Sequence, residues 1–295
     1  MRGTQLDFHV RDGRVQVTEF RQYESRGDCC LQMLCDLVVN WPELFEGREG
    51  SVFYGDMPPP DQWADKELNF CTTIRPGHTG PWLPFPCFAS LRWAEVGVSD
   101  AEAMLEELLA DDREWKSPKI FWIGTNQHPS RMALFQMGEQ HPGTMDIEMM
   151  EWNRADPKSL VSNTRQVSIP DHRDFKYLVD CPGRGYSARL KWLLATGRPV
   201  FVVARDIVEP WHTEMVPWVH FVPVAEDLSD LLEHHARLEA EPELYEKIGR
   251  NAREFAAETL RVNAQLIHVA EKVREALVSG PSGNPEATEK NYGDR

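Results

Sequence analysis

The chain has no apolar run approaching the roughly 18 residues a membrane-spanning helix needs, and its opening, MRGTQLDFHVRDGRV, lacks the apolar centre of a signal peptide. It does not end in a Lys-Asp-Glu-Leu retention signal. No paired CxxC spacing occurs: the six cysteines, at 29, 30, 35, 71, 87 and 181, are too sparse for a disulfide framework and read as buried free thiols. Basic residues are in deficit, 32 against 47 acidic, and the net charge of −15 argues against a surface that tracks nucleic-acid phosphates. Neither a P-loop nor a dinucleotide fingerprint is present, so ATP and NAD chemistry are not indicated. The absence of a nucleophile elbow and of a Cys-x5-Arg loop disfavours a hydrolase or phosphatase. There are no internal repeats. These absences predict a soluble chain in a reducing, cytoplasmic compartment, with a secretory lumen as the alternative if the N-terminus is truncated.

What is present can bury a sizeable core: 295 residues at 41% hydrophobic content suggest two domains or one large one. The organising stretch is Phe175 to Val203, FKYLVDCPGRGYSARLKWLLATGRPVFVV. Tyr177–Val179 reads as a buried strand and Cys181-Pro182-Gly183-Arg184-Gly185 as a loop. A helix follows, with Ser187 as its cap, Leu190, Leu193 and Leu194 on one face and Gly197 at its stop; Val200–Val203 is the second strand. Such a unit is parallel and right-handed, and the loop after its first strand faces a ligand crevice. Gly183 and Gly185 are compatible with a plain tight turn. With two arginines alongside, they are equally compatible with a cradle for a phosphate or diphosphate, with Arg189 one turn inside the helix.

The remaining chain is placed around that unit. Leu6–Val10 and Val15–Phe20 flank Asp12-Gly13 as a hairpin, and Cys30 to Val39 is an amphipathic helix. Ser51–Tyr54 is a strand running into Gly55-Asp56-Met57-Pro58-Pro59-Pro60, where Asp56 is either a turn residue or a carboxylate presented at a strand end. From Asn69 to Trp93 prolines and aromatics alternate, which suits a sugar or peptide platform or an irregular loop packed by its own rings. Ser99-Asp100-Ala101-Glu102 opens a helix through Leu109, and the polar stretch from Asp111 to Pro118 reads as the interdomain crossing. Lys119–Ile123 is a strand feeding Gly124 to Arg131 and a helix from about Met132, which sets Arg131 beside the first loop. His220–Val224 is a further strand. Helices follow over Asp227–Leu238, Pro242–Leu260 and Asn263–Leu277, and Ser279–Arg295 has a disordered composition.

Three segments also resemble glycosyltransferase family 90: DHRDFKYL at Asp171–Leu178, GRGYSARLK at Gly183–Lys191, and PWVHFVPVAEDLSDL at Pro217–Leu231. They fall in order within a similarity covering about residues 6–265. The resemblance implies an α/β chain of the GT-B type, two Rossmann-like domains with a cleft between them. The boundaries it suggests are 1–114 for an acceptor-side domain and 115–265 for a nucleotide-sugar-binding domain, then a helix over 266–278 and a tail over 279–295.

The same resemblance implies an inverting glycosyltransferase that moves glucose or xylose from a UDP-sugar to a hydroxyl of a glycan or protein acceptor, with no cofactor or metal required. By position, Asp56 would be the base and Arg131 and Arg189 would stabilise the leaving UDP. Gly124, Thr125, Asp171, Gly183, Gly185, Tyr186, Ser187 and Glu209 would complete the donor set, and Trp63, Trp82 and Phe85 would wall the acceptor. Two positions depart from the family pattern: Ile123 stands where an arginine is common, and Arg173 where lumenal relatives often carry a cysteine. The sequence holds no Asp-X-Asp pair, the usual metal anchor of the other large glycosyltransferase fold, so cationic side chains must meet the leaving-group charge. A non-catalytic nucleotide-sugar-binding protein of the same fold is the alternative.

Overall fold

The structure is a computed structural model that describes residues 4–21, 24–77, 80–152, 160–161, 165 and 167–279. The tail expected over 279–295 therefore lies, beyond Ser279, outside the described residues. The first half contains β1 (Gln5–Arg11), β2 (Arg14–Arg21), α1 (Glu24–Asn40), α2 (Pro42–Phe45), β3 (Glu49–Phe53), β4 (Leu68–Cys71), β5 (Leu83–Pro84) and α3 (Ala101–Ala110). The second contains β6 (Ser117–Thr125), α4 (Pro129–Gln140), β7 (Met145–Trp152), β8 (Leu160–Val161), β9 (Phe175–Asp180), α5 (Leu190–Ala195), β10 (Val200–Val203), β11 (Val222–Val224), α6 (Leu231–Ala240), α7 (Pro242–Thr259) and α8 (Val262–Ser279).

Two sheets result, in the orders β2-β1-β3-β4-β5 and β11-β10-β9-β6-β7-β8. In the second, β6, β7, β9, β10 and β11 run parallel and only β8 is antiparallel. Its strands alternate between two apolar faces: Phe121, Ile123, Leu178, Val200 and Val202 face α3, α5 and α7, while Ile120, Trp122, Tyr177, Val179, Phe201 and Val203 face α4 and α6. Both faces are covered by helices, as a parallel sheet requires. The first sheet is mixed. The Asp12-Gly13 turn, with φ of 52° and 67°, folds β2 back on β1, β1 pairs antiparallel with β3, and β3, β4 and β5 are parallel. Leu6, Phe8 and Val10 of β1 pack against Met33, Leu34, Leu37 and Val38 of α1. The chain is thus α/β with two Rossmann-like layers, the first carrying an antiparallel hairpin at its edge.

The halves exchange helices. Ala101, Leu105 and Leu108 of α3 pack into the core of the second sheet, and Leu266, Val269, Ala270 and Val273 of α8 return to the first. The carboxyl ends of β3 and β4 meet the second half directly, because Ile74 and Val208 exchange backbone hydrogen bonds at 2.9 and 3.0 Å. No helix among the described residues is long and apolar enough to cross a membrane.

Candidate functional site

β6 and β9 are adjacent and parallel, so the loops that leave their carboxyl ends lie side by side. After β6, His128 caps α4, its Nδ1 accepting the Ser130 N–H at 3.3 Å, and Pro129 takes the first helical position. Arg131, in the first turn, is buried and turns back to the loops. Its Nε donates to the Pro182 carbonyl at 2.7 Å, Nη1 to that of Thr125 at 2.9 Å and Nη2 to that of Cys181 at 3.2 Å. It therefore ties both loops together. Gly183 allows the close approach, since a Cβ there would sit 3.2 Å from the Tyr186 carbonyl and 3.6 Å from the Arg131 guanidinium.

The loop after β9 is built on Asp180, which is completely buried at the strand's last position. Its carboxylate accepts from Ser187 Oγ at 2.6 Å and from Arg205 Nη1 at 2.7 Å, while Arg205 also donates to the Asp180 and Val203 carbonyls. Ser187 is thereby turned away from the capping role its position suggests: α5 starts at Leu190, is six residues long and has no side-chain cap. Arg189 precedes α5 and donates to the Ile123 carbonyl; its Nε is buried without a hydrogen-bond partner among the described residues. The positive character of these loops accordingly comes from guanidinium charge more than from a helix terminus.

The electrostatics agree. Burial pushes Arg131 down to about 10 and repulsion from Arg189 pushes the same way, while burial and repulsion from Arg205 lower Arg189 and Asp180 acts in opposition. Three guanidiniums against one carboxylate leave an excess of two positive charges in a chain whose net charge is −15.

The opposing wall comes from the first sheet. β3 ends at Phe53, and Asp56 follows three residues later, its half-exposed carboxylate held by Arg26 of α1 at 2.8 Å. Arg26 lies over the Phe88 ring at 4.5 Å. Gly185 of the β9 loop packs flush on Asp56, so a Cβ there would overlap the Asp56 carbonyl oxygen. Tyr186, buried beside it, joins Cys29, Cys87, Phe88 and Ala188 in a small core between the halves. Behind that core Lys191 Nζ donates to Glu209 Oε2 at 3.1 Å, Ser90 Oγ at 3.0 Å and Cys87 Sγ at 3.4 Å. Trp211 Nε1 also donates to Glu209 Oε2, and Oε1 is buried without a partner among the described residues.

The fold thus sets Gly124, Thr125, Arg131, Gly183, Ser187 and Arg189 side by side on the β6 and β9 loops, and brings Gly185 and Tyr186 of the same loop to the contact with the first half, where Asp56 lies; Glu209 stands behind that contact. Arg184 is exposed beside them. Asp171 makes none of these contacts. That residue precedes β9, at the amino end of a strand about 20 Å long, and its exposed carboxylate accepts from Ser168 Oγ at 2.6 Å. His172 next to it is buried, and its charged form is opposed by burial and by Arg189. Trp63 and Trp82 flank Phe53 at 6.2 and 6.3 Å, whereas Phe85 is 1% exposed and packs edge-on to Phe70 in the first core. Arg173, where the pattern carries cysteine, is buried and donates to the Leu108 carbonyl at 2.8 Å, tying β9 to α3. Sequence reasoning missed Asp180, Arg205 and Arg26; only the repeated appearance of arginine after strands β9 and β10 hinted at the first two. Among the described residues no three His, Cys, Asp or Glu side chains group as metal ligands.

The chain is similar to several known proteins. The solved structure of AviGT4, a glycosyltransferase involved in avilamycin A biosynthesis, covers 85% of this chain and 90% of its own at 12% identity and a TM-score of 0.41. Sucrose-phosphate synthase from Thermosynechococcus elongatus covers 60% and 49% at 14% identity and a TM-score of 0.40. Protein O-glucosyltransferase 1 of Homo sapiens and of Bos taurus are each 25% identical over 274 residues, 84% of this chain and 67% of theirs. The rat protein is 27% identical over 175 residues, and there the match spans only 45% of the relative's length. The family model for glycosyl transferase family 90 matches residues 78–269, well over half of the sequence, and the chain belongs to that family.

Proposed function

We propose that the chain is an inverting glycosyltransferase that moves glucose or xylose from a UDP-sugar to an acceptor hydroxyl, with Asp56 as the base. The observation that carries this reading is the contact of Gly185 with Asp56: the loop holding the cationic cluster packs against the residue that carries a half-exposed carboxylate on the opposing half. The acceptor oxygen bonds to the anomeric carbon as that carbon's bond to the phosphate oxygen breaks. The proton passes to Asp56, and the bonding electron pair leaves with UDP.

The Arg131, Arg189 and Arg205 cluster favours the departing diphosphate, and the unpartnered Arg189 Nε is a donor that a phosphate oxygen would satisfy. Arg131 acts through its charge and by fixing the loops, since three of its N–H groups are spent on carbonyls. The reading calls for no divalent metal, and chelation with EDTA leaves UDP release unchanged if it is right. Six free thiols, five of them buried, suit a reducing compartment.

The test is Asp56→Asn. Turnover falls about 10²–10⁴-fold while the rise in melting temperature produced by UDP persists. Unchanged turnover refutes the base assignment, and UDP binding without hydrolysis or transfer by the unaltered chain supports a binding protein instead.

A further inference from the structure

Asp56 stands on a segment that does little to hold it. Residues 55–60 form neither strand nor helix, and Asp56 and Met57 make no backbone hydrogen bond among the described residues. The carboxylate is held from α1 instead. Arg26, in the first turn of that helix, donates from Nη1 to Asp56 Oδ1 at 2.8 Å. The other carboxylate oxygen, Oδ2, has no hydrogen-bond partner among the described residues.

The guanidinium is itself held. Met33, Leu34, Leu37 and Val38 root α1 in the first core, and Gly27 lets its first turn sit close on β2 and on the end of β3: a Cβ there would overlap the Phe20 ring and lie 2.9 Å from Tyr54 Oη. The Phe88 ring lies under the guanidinium at 4.5 Å. Within Coulomb reach are Tyr186 of the β9 loop and Cys87, and both are neutral, because burial pushes the Cys87 thiol up to about 12 and the Tyr186 phenol in the same direction. Phe88, Cys87 and Tyr186 all belong to the small core between the halves, so the base is oriented from the surface that meets the donor loop. The ion pair is partly exposed, and water screens its Coulomb energy; what Arg26 supplies to Asp56 is orientation more than charge. A planar fork seated on a ring sets that orientation, which the single mobile ammonium of a lysine does not.

Resting on the transfer reading above, we propose that Arg26 positions the base: by anchoring Oδ1 it fixes the plane of the Asp56 carboxylate and presents Oδ2 to the acceptor hydroxyl. In the transfer step the acceptor proton passes to Oδ2, the acceptor oxygen bonds to the anomeric carbon, and the electron pair of the broken carbon–oxygen bond leaves with UDP. Arg26 exchanges no proton and acts through Asp56.

The experiment uses the full chain with UDP-glucose and UDP-xylose and reads UDP release with water as the acceptor hydroxyl. Arg26→Gln lowers kcat about 10–10²-fold, while the KM for the UDP-sugar and the rise in melting temperature produced by UDP stay unchanged. Arg26→Lys recovers part of the loss. Free guanidinium at tens of millimolar, far below the molar range that unfolds proteins, speeds Arg26→Ala several-fold and leaves both the unaltered chain and Asp56→Asn as they were. Combining Arg26→Gln with Asp56→Asn slows turnover no further than Asp56→Asn alone, as it must when one residue acts through the other. Losses that multiply in the combined variant overturn the positioning role. So does a kcat that Arg26→Gln leaves unchanged, or a loss matched by a smaller UDP-induced shift, which marks a structural effect; each of these leaves the donor reading standing. Turnover unchanged by Asp56→Asn removes the base, and the role of Arg26 with it. Absence of both UDP release and any UDP-induced thermal shift overturns the donor reading, and the positioning role falls as well.

Discussion

The two halves hold the charges nearest their contact in opposite ways. On the second sheet, Asp180 and Arg205 are 0% and 4% exposed and bound into a network with Ser187 and two carbonyls. On the first, Asp56 and Arg26 form an ion pair at 41% and 27% exposure. On the proposed reading, the buried network fixes the shape of a cradle for a flexible diphosphate, and water cannot screen it. The half-exposed pair leaves the carboxylate hydrated and able to exchange a proton with an incoming hydroxyl. A cradle is served by preorganisation, a base by access.

The largest effect that would break this contrast is on stability. Asp180→Asn leaves Arg205 buried without its counter-charge and costs about 3–5 kcal/mol, read by denaturant unfolding. Asp56→Asn, which removes a solvent-screened pair, costs less than about 1 kcal/mol in the same measurement. Equal losses would erase the distinction. Next is Arg189→Gln, which lowers turnover about 10²–10³-fold and shrinks the UDP-induced thermal shift, an effect on donor binding that Asp56→Asn does not share. Gly185→Ala probes the contact between the walls: its Cβ meets the Asp56 carbonyl, so the halves must separate at a cost of about 1–3 kcal/mol, seen as a lower melting temperature.

The smallest effect, about 1 kcal/mol over the first pH unit below 6.5, is a pH dependence on the buried side. Burial holds His172 down at about 3, so the folded chain binds no proton there while the unfolded chain does below about 6.5. Stability therefore falls as pH drops from about 6.5 towards 3, by up to about 1.4 kcal/mol per unit for this residue. His172→Gln lowers that slope by this residue's share, measured as denaturant midpoints across the range, while His212, held down likewise by burial, keeps its own.

Much of the framework was legible from local pattern. The Asp12-Gly13 hairpin, the strand-loop-helix-strand unit from Phe175 to Val203 and the adjacency of the β6 and β9 loops all rest on periodicity and turn chemistry that act within a few residues. β7 is not legible in the sequence, because Met145–Trp152 carries no β-branched residue apart from Ile147 and its alternation breaks at Met149-Met150. Phe85 drew attention as an aromatic in a proline-rich segment, yet burial against Phe70 makes it core. Its neighbour Trp82, of the same composition class, lines a cavity. Nothing local separates the two.

The sequence by itself determined the α/β class, the positions of the glycine-bearing loops and the strand-end placement of Asp56, because short-range sterics and hydrophobic period decide these. Tertiary structure alone decided which charges meet. Asp180 finds Arg205 at a separation of 25 residues, Arg26 finds Asp56 at 30, and Gly185 comes against Asp56 from the other half of the chain. Coulomb energy depends on distance and burial in the folded molecule, and neither quantity is written along the chain.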